Sequence, residues 1–502
     1  MLPLPRRRRF AAGLLLAPLL AALTGCFASD GGDAPSGSSE GSRLKVALAF
    51  PPAENFSPYG ADATLLSRLG VTEGLTRLDA NGAAAPALAE SWSRDNDRSW
   101  LFSLRDATFQ DGAEVTPKAV AAALTRAADA EPVTAALSGV ELTAEPAGDH
   151  RVRVSTSDPD PVLPLRLSSP GLVILSAGAY GGKDAVSPVG TATGPFELTE
   201  VTGTTAATLD RFDDYWGGRA QAAGIDARFI ADGTARTNAL RTGAADIAEA
   251  VPVSQAASLD GGTRRETATT RTTSLLLNTR SGAFEDPRTR ATAREAIDTS
   301  ALAEGVYEGY ADPGAGLYGP ALTWAADKRV RPAGRAAAGG AGGRTLTMAT
   351  YDNRPELPEV AQVLEQQLEK AGFRVKLEVR EYSRLESDAL AGKFDAFVSA
   401  RNTMLDTGDP VSVLASDYTC RGSYNLALLC DKKVDKAVSG AESTADTAER
   451  RDAAMTAEAA LLGTDALVPL VHQRIITGVA AEVSGVLLDP YERSLVGVGT
   501  RR

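Results

Sequence analysis

Thr345-Leu346-Thr347-Met348-Ala349-Thr350 opens the run of segments whose alternation decides the fold class. It reads as a strand. Pro358 to Ala371 then sets Val360, Val363, Leu364, Leu368 and Ala371 at helical spacing, and Gly372 suits the position just past a helix end. Arg374-Val375-Lys376-Leu377-Glu378-Val379 alternates as a second strand, a helix follows to about Ala391, and Asp395-Ala396-Phe397-Val398-Ser399 reads as a buried third strand. This β-α-β-α-β order implies an α/β fold with a mostly parallel sheet, whose ligands collect beyond the carboxyl ends of the strands. Two strand ends carry polar residues to that edge: Tyr351 to Arg354, and Arg401 to Asp406.

The second of these ends leads into the chemically densest part of the chain. Asp406-Thr407-Gly408-Asp409-Pro410 is turn chemistry, because Gly tolerates positive φ and Pro ends any regular element before it. Cys420 and Cys430 follow closely. Two carboxylates beside a short cross-link make either one wall of a cleft for a cationic group or a surface turn with a structural staple.

Working outward, 502 residues suffice for two or three domains, and 43% hydrophobic with 23% charged residues is an ordinary globular composition. The net charge of −12 argues against a nucleic-acid partner. Arg6 to Arg9 precede an apolar run from Phe10 to Leu23, too short for a comfortable membrane span. The run ends in Leu23-Thr24-Gly25-Cys26, which resembles a bacterial lipobox, so residues 1–25 are expected to be a lipoprotein signal peptide, Cys26 the lipidated residue and 26–43 a flexible tether. With Cys26 so used, Cys420 and Cys430 remain as an even pair in an oxidising compartment, expected to form a disulfide contributing roughly 2–3 kcal/mol. A zinc site is the rival, and two cysteines without a nearby His fall short of its ligand count.

Arg43 to Phe50 reads as the opening strand and Ala63 to Leu69 as a short helix. From Val71 the pattern turns antiparallel: Asp79-Ala80-Asn81-Gly82 and Gln110-Asp111-Gly112 are turns, Ser99 to Arg105 a strand, and Thr116-Pro117 the cap and first residue of a helix to about Ala130. Short strands at Val140 to Leu142 and His150 to Val154 complete a small α+β unit. Val330 to Gly343, glycine-rich, is expected to be an exposed loop. Val434 to Leu462 reads as largely helical, and Val468 to His472 and Ile475 to Val479 as two returning strands.

Glu73-Gly74-Leu75-Thr76-Arg77, Pro86 to Trp92 and Phe102 to Gly112 resemble the signature of family 5 extracellular solute-binding proteins, the peptide- and nickel-binding receptors of ABC importers. The likeness continues in order through Thr193-Gly194-Pro195-Phe196, Asp213 to Gly218, Phe229 to Asp232, Ala235 to Leu240, Gly243 to Ile247 and Leu276 to Thr279, with Phe284, Asp286, Arg290 and Ala296-Ile297-Asp298. Gln110 stands where the family commonly has His or Ser, and Tyr215 to Gly218 reads as a packed aromatic corner. The resemblance implies a two-lobed periplasmic-binding-protein-like fold of type II, cluster C, with an extra α+β subdomain and a hinge between lobes. The expected boundaries are a first lobe over 44–297 including the subdomain at about 76–190, a second lobe over 298–455, and a return to the first over 456–502.

It also implies a ligand set. In peptide-binding members an Asp before the Gly-Asp-Pro holds the peptide's amino group, and by motif match that is Asp406, with Asp409-Pro410 aiming it. The dipeptide-binding branch carries a cysteine pair just downstream, as Cys420 and Cys430 resemble. Its carboxylate-binding arginine falls where this chain has Tyr351, so Arg354 or Arg401 is expected to substitute. Tyr418 and Asn425 are further wall candidates. Tyr351 to Pro358 also looks like segments of nickel-importer relatives, leaving a metal-chelate ligand as the alternative, beside a non-transport sensor of the same fold. No cofactor and no protein-held metal is expected; the expected partners are a peptide or other small solute, an ABC permease and ATPase, and the membrane through the N-terminal lipid, with the protein a monomer on the extracytoplasmic face.

Enzymatic chemistry finds no support. His150 and His472 are the only histidines, and no G-x-S-x-G, H-E-x-x-H or P-loop occurs. Ser42-Arg43-Leu44-Lys45 matches S-x-x-K without any partner motif.

Overall fold

The structure, a computed structural model, describes residues 41–60, 62–131, 133–181 and 186–502. The expected signal peptide, Cys26 and nearly all of the tether lie outside these residues.

The deciding stretch folds as strand Thr345–Tyr351, helix Glu356–Lys370, strand Arg374–Arg380, helix Glu386–Leu390 and strand Ala396–Asn402. The first helix buries Leu357, Val360, Ala361, Leu364 and Leu368 at the spacing read from the sequence, with Glu356 and Glu359 in its first turn and Lys370 in its last. Gly372 follows at φ 94°, a conformation that favours glycine. The three strands are parallel, Thr345 opposite Arg374 and Met348 opposite Ala396. Their carboxyl ends carry Tyr351 to Arg354 and Arg401 to Asp406 to one edge.

Beyond these three strands the sheet is mixed rather than mostly parallel. Ala396–Asn402 pairs antiparallel with the long strand Arg264–Leu277, which pairs antiparallel with Leu467–Val479. The order then runs through Ile247–Ala248, Arg43–Leu48, Gly224–Phe229, Ala206–Arg211 and Phe196–Thr202, giving an eleven-stranded sheet among the described residues, with Ala311–Pro313 paired to the side of Leu467–Val479. The two returning strands expected near the C-terminus are one 13-residue strand. Its pairing with Arg264–Leu277 shifts register between Ala268 and Thr272 and again between Thr273 and Ser274.

Three hydrophobic cores are present among the described residues, two of them against this sheet. One joins Leu44, Val46, Phe196 and Ile225 to Val479, Leu495 and Val496. A second gathers side chains from Leu240 to Tyr491, centred on Leu346, Val398, Leu364 and Leu470. The third belongs to the α+β unit, where a sheet in the order Ala89–Arg94, Ser99–Leu104, Arg151–Thr156, Leu142–Pro146 packs Phe102, Val152 and Val154 against Val120, Leu124 and Ala127 of helix Pro117–Ala128. Thr116 caps that helix by accepting from the Ala119 N–H at 3.2 Å. The aromatic corner is packed as expected: Glu73 accepts from the Tyr215 hydroxyl at 2.7 Å and the Trp216 indole at 3.0 Å, and Arg105 lies 3.7 Å over the Trp216 ring.

The glycine-rich segment is a largely exposed loop, as expected, and it is tied to its neighbours. The N–H groups of Gly339 and Gly340 donate to Thr292 Oγ1 at 3.2 and 3.0 Å, Arg335 donates to the Leu462 carbonyl at 3.1 Å, and Ala341 is buried. A Cβ on Gly339 would stand 2.8 Å from that of Arg288. Glycine lets this backbone lie flat on helix Pro287–Ala296.

Candidate binding cleft

The turn after Ala396–Asn402 is held rigidly from both sides. Arg493 donates to the carbonyls of Met404 at 3.0 Å and Leu405 at 2.6 Å, and its other nitrogen reaches the Ser168 carbonyl at 3.0 Å. Asp409 is fully buried and meets Arg450 through two parallel hydrogen bonds of 2.8 and 2.6 Å. Burial would raise the Asp409 carboxyl, but Arg450 holds it below the usual carboxylate range. Asp409 is therefore the anchor of its loop, more than a turn-former.

Asp406, half-buried on this fixed loop, lines a cavity of about 650 Å³. One wall comes from the α+β unit, including Ser138, Asp158 and Arg166; the other comes from the 403–442 region, including Ser416 and Arg421. The two walls touch where Ser138 Oγ and Ser423 Oγ are 3.1 Å apart. Arg401 donates to Asp406 Oδ2 at 2.9 Å and through Nε to Asp417 Oδ2 at 3.0 Å, and lies 5.3 Å over the Tyr424 ring. Burial opposes the Arg401 charge, but Asp417 and Asp406 together hold its pKa above the usual arginine value. One guanidinium shared by two carboxylates leaves an excess negative charge at the cleft edge.

The remaining expected site residues divide. Tyr418 is buried beside Arg401, Asp417 and Tyr424, around a gap of about 10 Å³, room for roughly one water. The Arg354 guanidinium lies 5.7 Å over the Phe50 ring and has no hydrogen-bond or ion-pair partner among the described residues. Burial first, and then Arg271, lowers its pKa. Tyr351 and Asn425 have other work. The Tyr351 hydroxyl accepts from the Ala400 N–H at 3.1 Å and the ring packs edge-on against Tyr382. The Asn425 amide donates to the carbonyls of Thr419 at 2.9 Å and Leu429 at 2.7 Å, and its oxygen accepts from the Leu429 N–H at 3.0 Å, so its bonding capacity serves the Cys420–Cys430 loop. In that loop the two Sγ atoms stand 2.06 Å apart. Asp417, Arg450 and Arg493 escaped the sequence reading; each acts across a long separation and sits in no local motif.

A second cavity, of about 480 Å³, lies against Thr72, Arg77, Ser169 and the 487–498 segment and contains none of the expected site residues. No group of three His, Cys, Asp or Glu side chains able to hold a metal occurs among the described residues.

A mixed sheet bearing loops at its strand ends, a separate α+β unit and a polar cavity between them define a two-lobed solute receptor of the type II periplasmic-binding-protein class. The chain matches the bacterial extracellular solute-binding proteins, family 5, over residues 83–425 and belongs to that family, whose members are solute-binding components of ABC importers. It is 24% identical over 428 residues to the nickel-binding protein NikA of Staphylococcus aureus, covering 82% of this chain and 85% of that one. To the glutathione-binding protein GsiB of Escherichia coli K12 it is 25% identical over 463 residues, covering 86% and 90%. Among solved structures, S. aureus NikA in complex with Ni(L-His)2 superposes with a TM-score of 0.78 at 21% identity, covering 92% of this chain and 100% of that one. The dipeptide-binding protein of Pseudoalteromonas sp. SM9913 in complex with Met-Leu also gives 0.78, at 17% identity, covering 91% and 99%. These relatives are named as solute-binding proteins. No helix among the described residues is long and apolar enough to cross a membrane.

Proposed function

We propose that this protein captures short peptides outside the cytoplasm and delivers them to a membrane permease. The observation that carries the reading is Asp406: it lines the 650 Å³ cavity on a loop fixed by Arg450 and Arg493, and Arg401 engages only its Oδ2. Oδ1 is left to accept from a peptide ammonium, in a setting where the charge-assisted bond is strong and the local charge is negative. Arg354, an arginine without a protein partner at the neighbouring strand end, is the counterpart for a carboxylate. The names of the glutathione- and dipeptide-binding relatives support a peptide as cargo.

In this reading the lobes are 44–297 with its subdomain and 298–455, the 456–502 segment returns to the first, and the strands Arg264–Leu277 and Leu467–Val479 crossing between them form the hinge on which the cleft closes. Cys26 carries the lipid that holds a monomeric receptor at the outer face of the cell membrane, and Cys420 and Cys430 form a disulfide bracing the wall behind Asp406. Calorimetry with a peptide panel tests the cargo: submicromolar binding that Asp406→Ala abolishes supports it, and binding indifferent to that change removes Asp406 from the site.

The likeness to NikA favours one second reading, a metal chelate. Without a cluster of protein ligands among the described residues, the metal would have to arrive with its own ligands. Binding that needs nickel plus a small chelator, with no response to peptides, would decide for it.

A further inference from the structure

Three of the chain's four tryptophans meet at one place outside the Asp406 cavity. Trp92 and Trp100 lie on neighbouring strands of the α+β unit, where Trp92 is opposite Phe102 and Trp100 is two residues from Phe102, so all three side chains share one face of that sheet. Trp324, on the short helix Thr323–Asp327, belongs to the other wall. Between them is a cavity of about 270 Å³, also bordered by Pro161, Pro164, Met404 and Pro410. All three indoles are half-buried.

The loop after Ala396–Asn402 is shared between the two cavities. Thr403, Asp406 and Thr407 line the polar one; Met404, Gly408, Asp409 and Pro410 line the aromatic one. We infer that the tryptophan-walled cavity is a subsite for a neutral aromatic group carried by the captured solute. The inference rests on the reading of this loop as a solute-binding wall.

Size and charge narrow the occupant. An apolar cavity of about 150 Å³ takes benzene, so this one admits a phenyl or phenol ring with room for its linker. Aromatic walls also attract quaternary ammonium groups, but the charge here opposes a cation. Arg450 is neutralised by Asp409, whereas Arg451, 5.2 Å over the Trp324 ring, donates to the Asn81 carbonyl at 2.7 Å and has no acid partner among the described residues. The wall therefore carries a net positive charge. Of the three indole N–H groups at this cavity only that of Trp100 is used within the described residues, by the Asp160 carbonyl at 3.2 Å. Trp92 and Trp324 keep a donor for a phenolic oxygen.

The tryptophans report on their own cavity, because the fourth, Trp216, is packed elsewhere beneath Arg105. The purified protein is titrated with Ala-Phe and Ala-Ala by calorimetry and by intrinsic fluorescence. Expected are affinity for Ala-Phe about tenfold to a hundredfold above that for Ala-Ala, from burial of one phenyl ring, and a fluorescence change with Ala-Phe that Ala-Ala does not produce. Trp92→Ala and Trp324→Ala, on opposite walls, should each reduce Ala-Phe to the affinity of Ala-Ala and leave Ala-Ala unchanged. Equal affinity of the wild-type protein for the two peptides would overturn the subsite while leaving peptide capture intact. If neither peptide binds, the peptide reading fails, and phenol, which has no ammonium or carboxylate, decides separately: NMR saturation transfer to phenol that Trp324→Ala removes upholds the subsite, and its absence in the wild type refutes it.

Discussion

Arg450 grips Asp409 through two near-parallel hydrogen bonds, Nε to Oδ1 at 2.8 Å and Nη2 to Oδ2 at 2.6 Å, although the residues are 41 apart in sequence. Its Nη1 donates further to the carbonyls of Ala441, Glu442 and Thr444. A helix hairpin and the loop after Ala396–Asn402 are thereby fixed by one buried side chain.

Removing one partner leaves the other charge buried and unpaired. Asp409→Ala is expected to cost about 3–5 kcal/mol of stability, whereas Asp406→Ala, at a half-buried ion pair, should cost about 1 kcal/mol or less. Urea unfolding of the two variants measures the contrast. Equal destabilisation would mean that Asp406, too, is a structural residue.

Arg354 should act on the ligand's far end. Arg354→Gln is expected to weaken binding of peptides with a free carboxylate about tenfold to a hundredfold, and to leave amidated peptides at their wild-type affinity. Calorimetry with matched acid and amide forms provides the reading; an equal loss for both forms would assign Arg354 to holding Phe50 instead.

The loop behind Tyr418 separates scaffold from site. Replacing Cys420 and Cys430 by Ser should cost about 2–3 kcal/mol through release of a short closed loop. Asn425→Ala, which strips three hydrogen bonds from the same loop, should cost about 1–3 kcal/mol. Neither change should alter the enthalpy of peptide binding in the protein that remains folded. An altered enthalpy in Asn425→Ala would return that side chain to the ligand wall.

His472 makes a pH prediction. Its Nδ1 shares a hydrogen bond of 3.0 Å with Thr272 Oγ1, and Nε2 has no protein partner. Burial first, then Arg329, pushes its pKa down to about 4, with Asp312 opposing. The folded state thus binds the imidazole proton more weakly than the unfolded chain. Its contribution to stability is present above about pH 6.5 and lost as pH falls toward about 4. Denaturant unfolding between pH 7 and 4 should fall less steeply in His472→Gln, by a ceiling of roughly 3 kcal/mol. Glu458, raised by burial, works in the opposite direction in both proteins and cancels from the difference.

What the sequence disclosed followed range. The strands and helices from Thr345 to Asn402 are written in local periodicity, and each formed within a few residues of its expected place. Arg401 and Asp406 are legible as polar residues at a strand end. Their mutual ion pair, and the second carboxylate of Asp417, depend on how helix Pro410–Tyr418 turns back on the strand, which packing decides. Tyr351 was read as a site residue because it stands at a strand end where the resemblance puts a carboxylate-binding arginine; its hydroxyl is taken by the backbone of Ala400, a neighbour no local pattern reveals. The tryptophan cavity was hidden for the same reason, since Trp92 and Trp324 lie more than two hundred residues apart and meet only in the tertiary fold.

The strand Leu467–Val479 lies between Arg264–Leu277 and Ile247–Ala248, near the middle of the sheet, yet it is synthesised about two hundred residues after both. The first strand waits similarly: Arg43–Leu48 pairs with residues about two hundred positions later. Neither large core can be completed by a partial chain, because Val479 belongs to one and Leu470 to the other. Such non-local pairing delays completion of the sheet until Val479 is present. A nascent chain of this topology stays threadable through a translocation channel until Leu467–Val479 is made, and the central seam locks only after that strand has emerged.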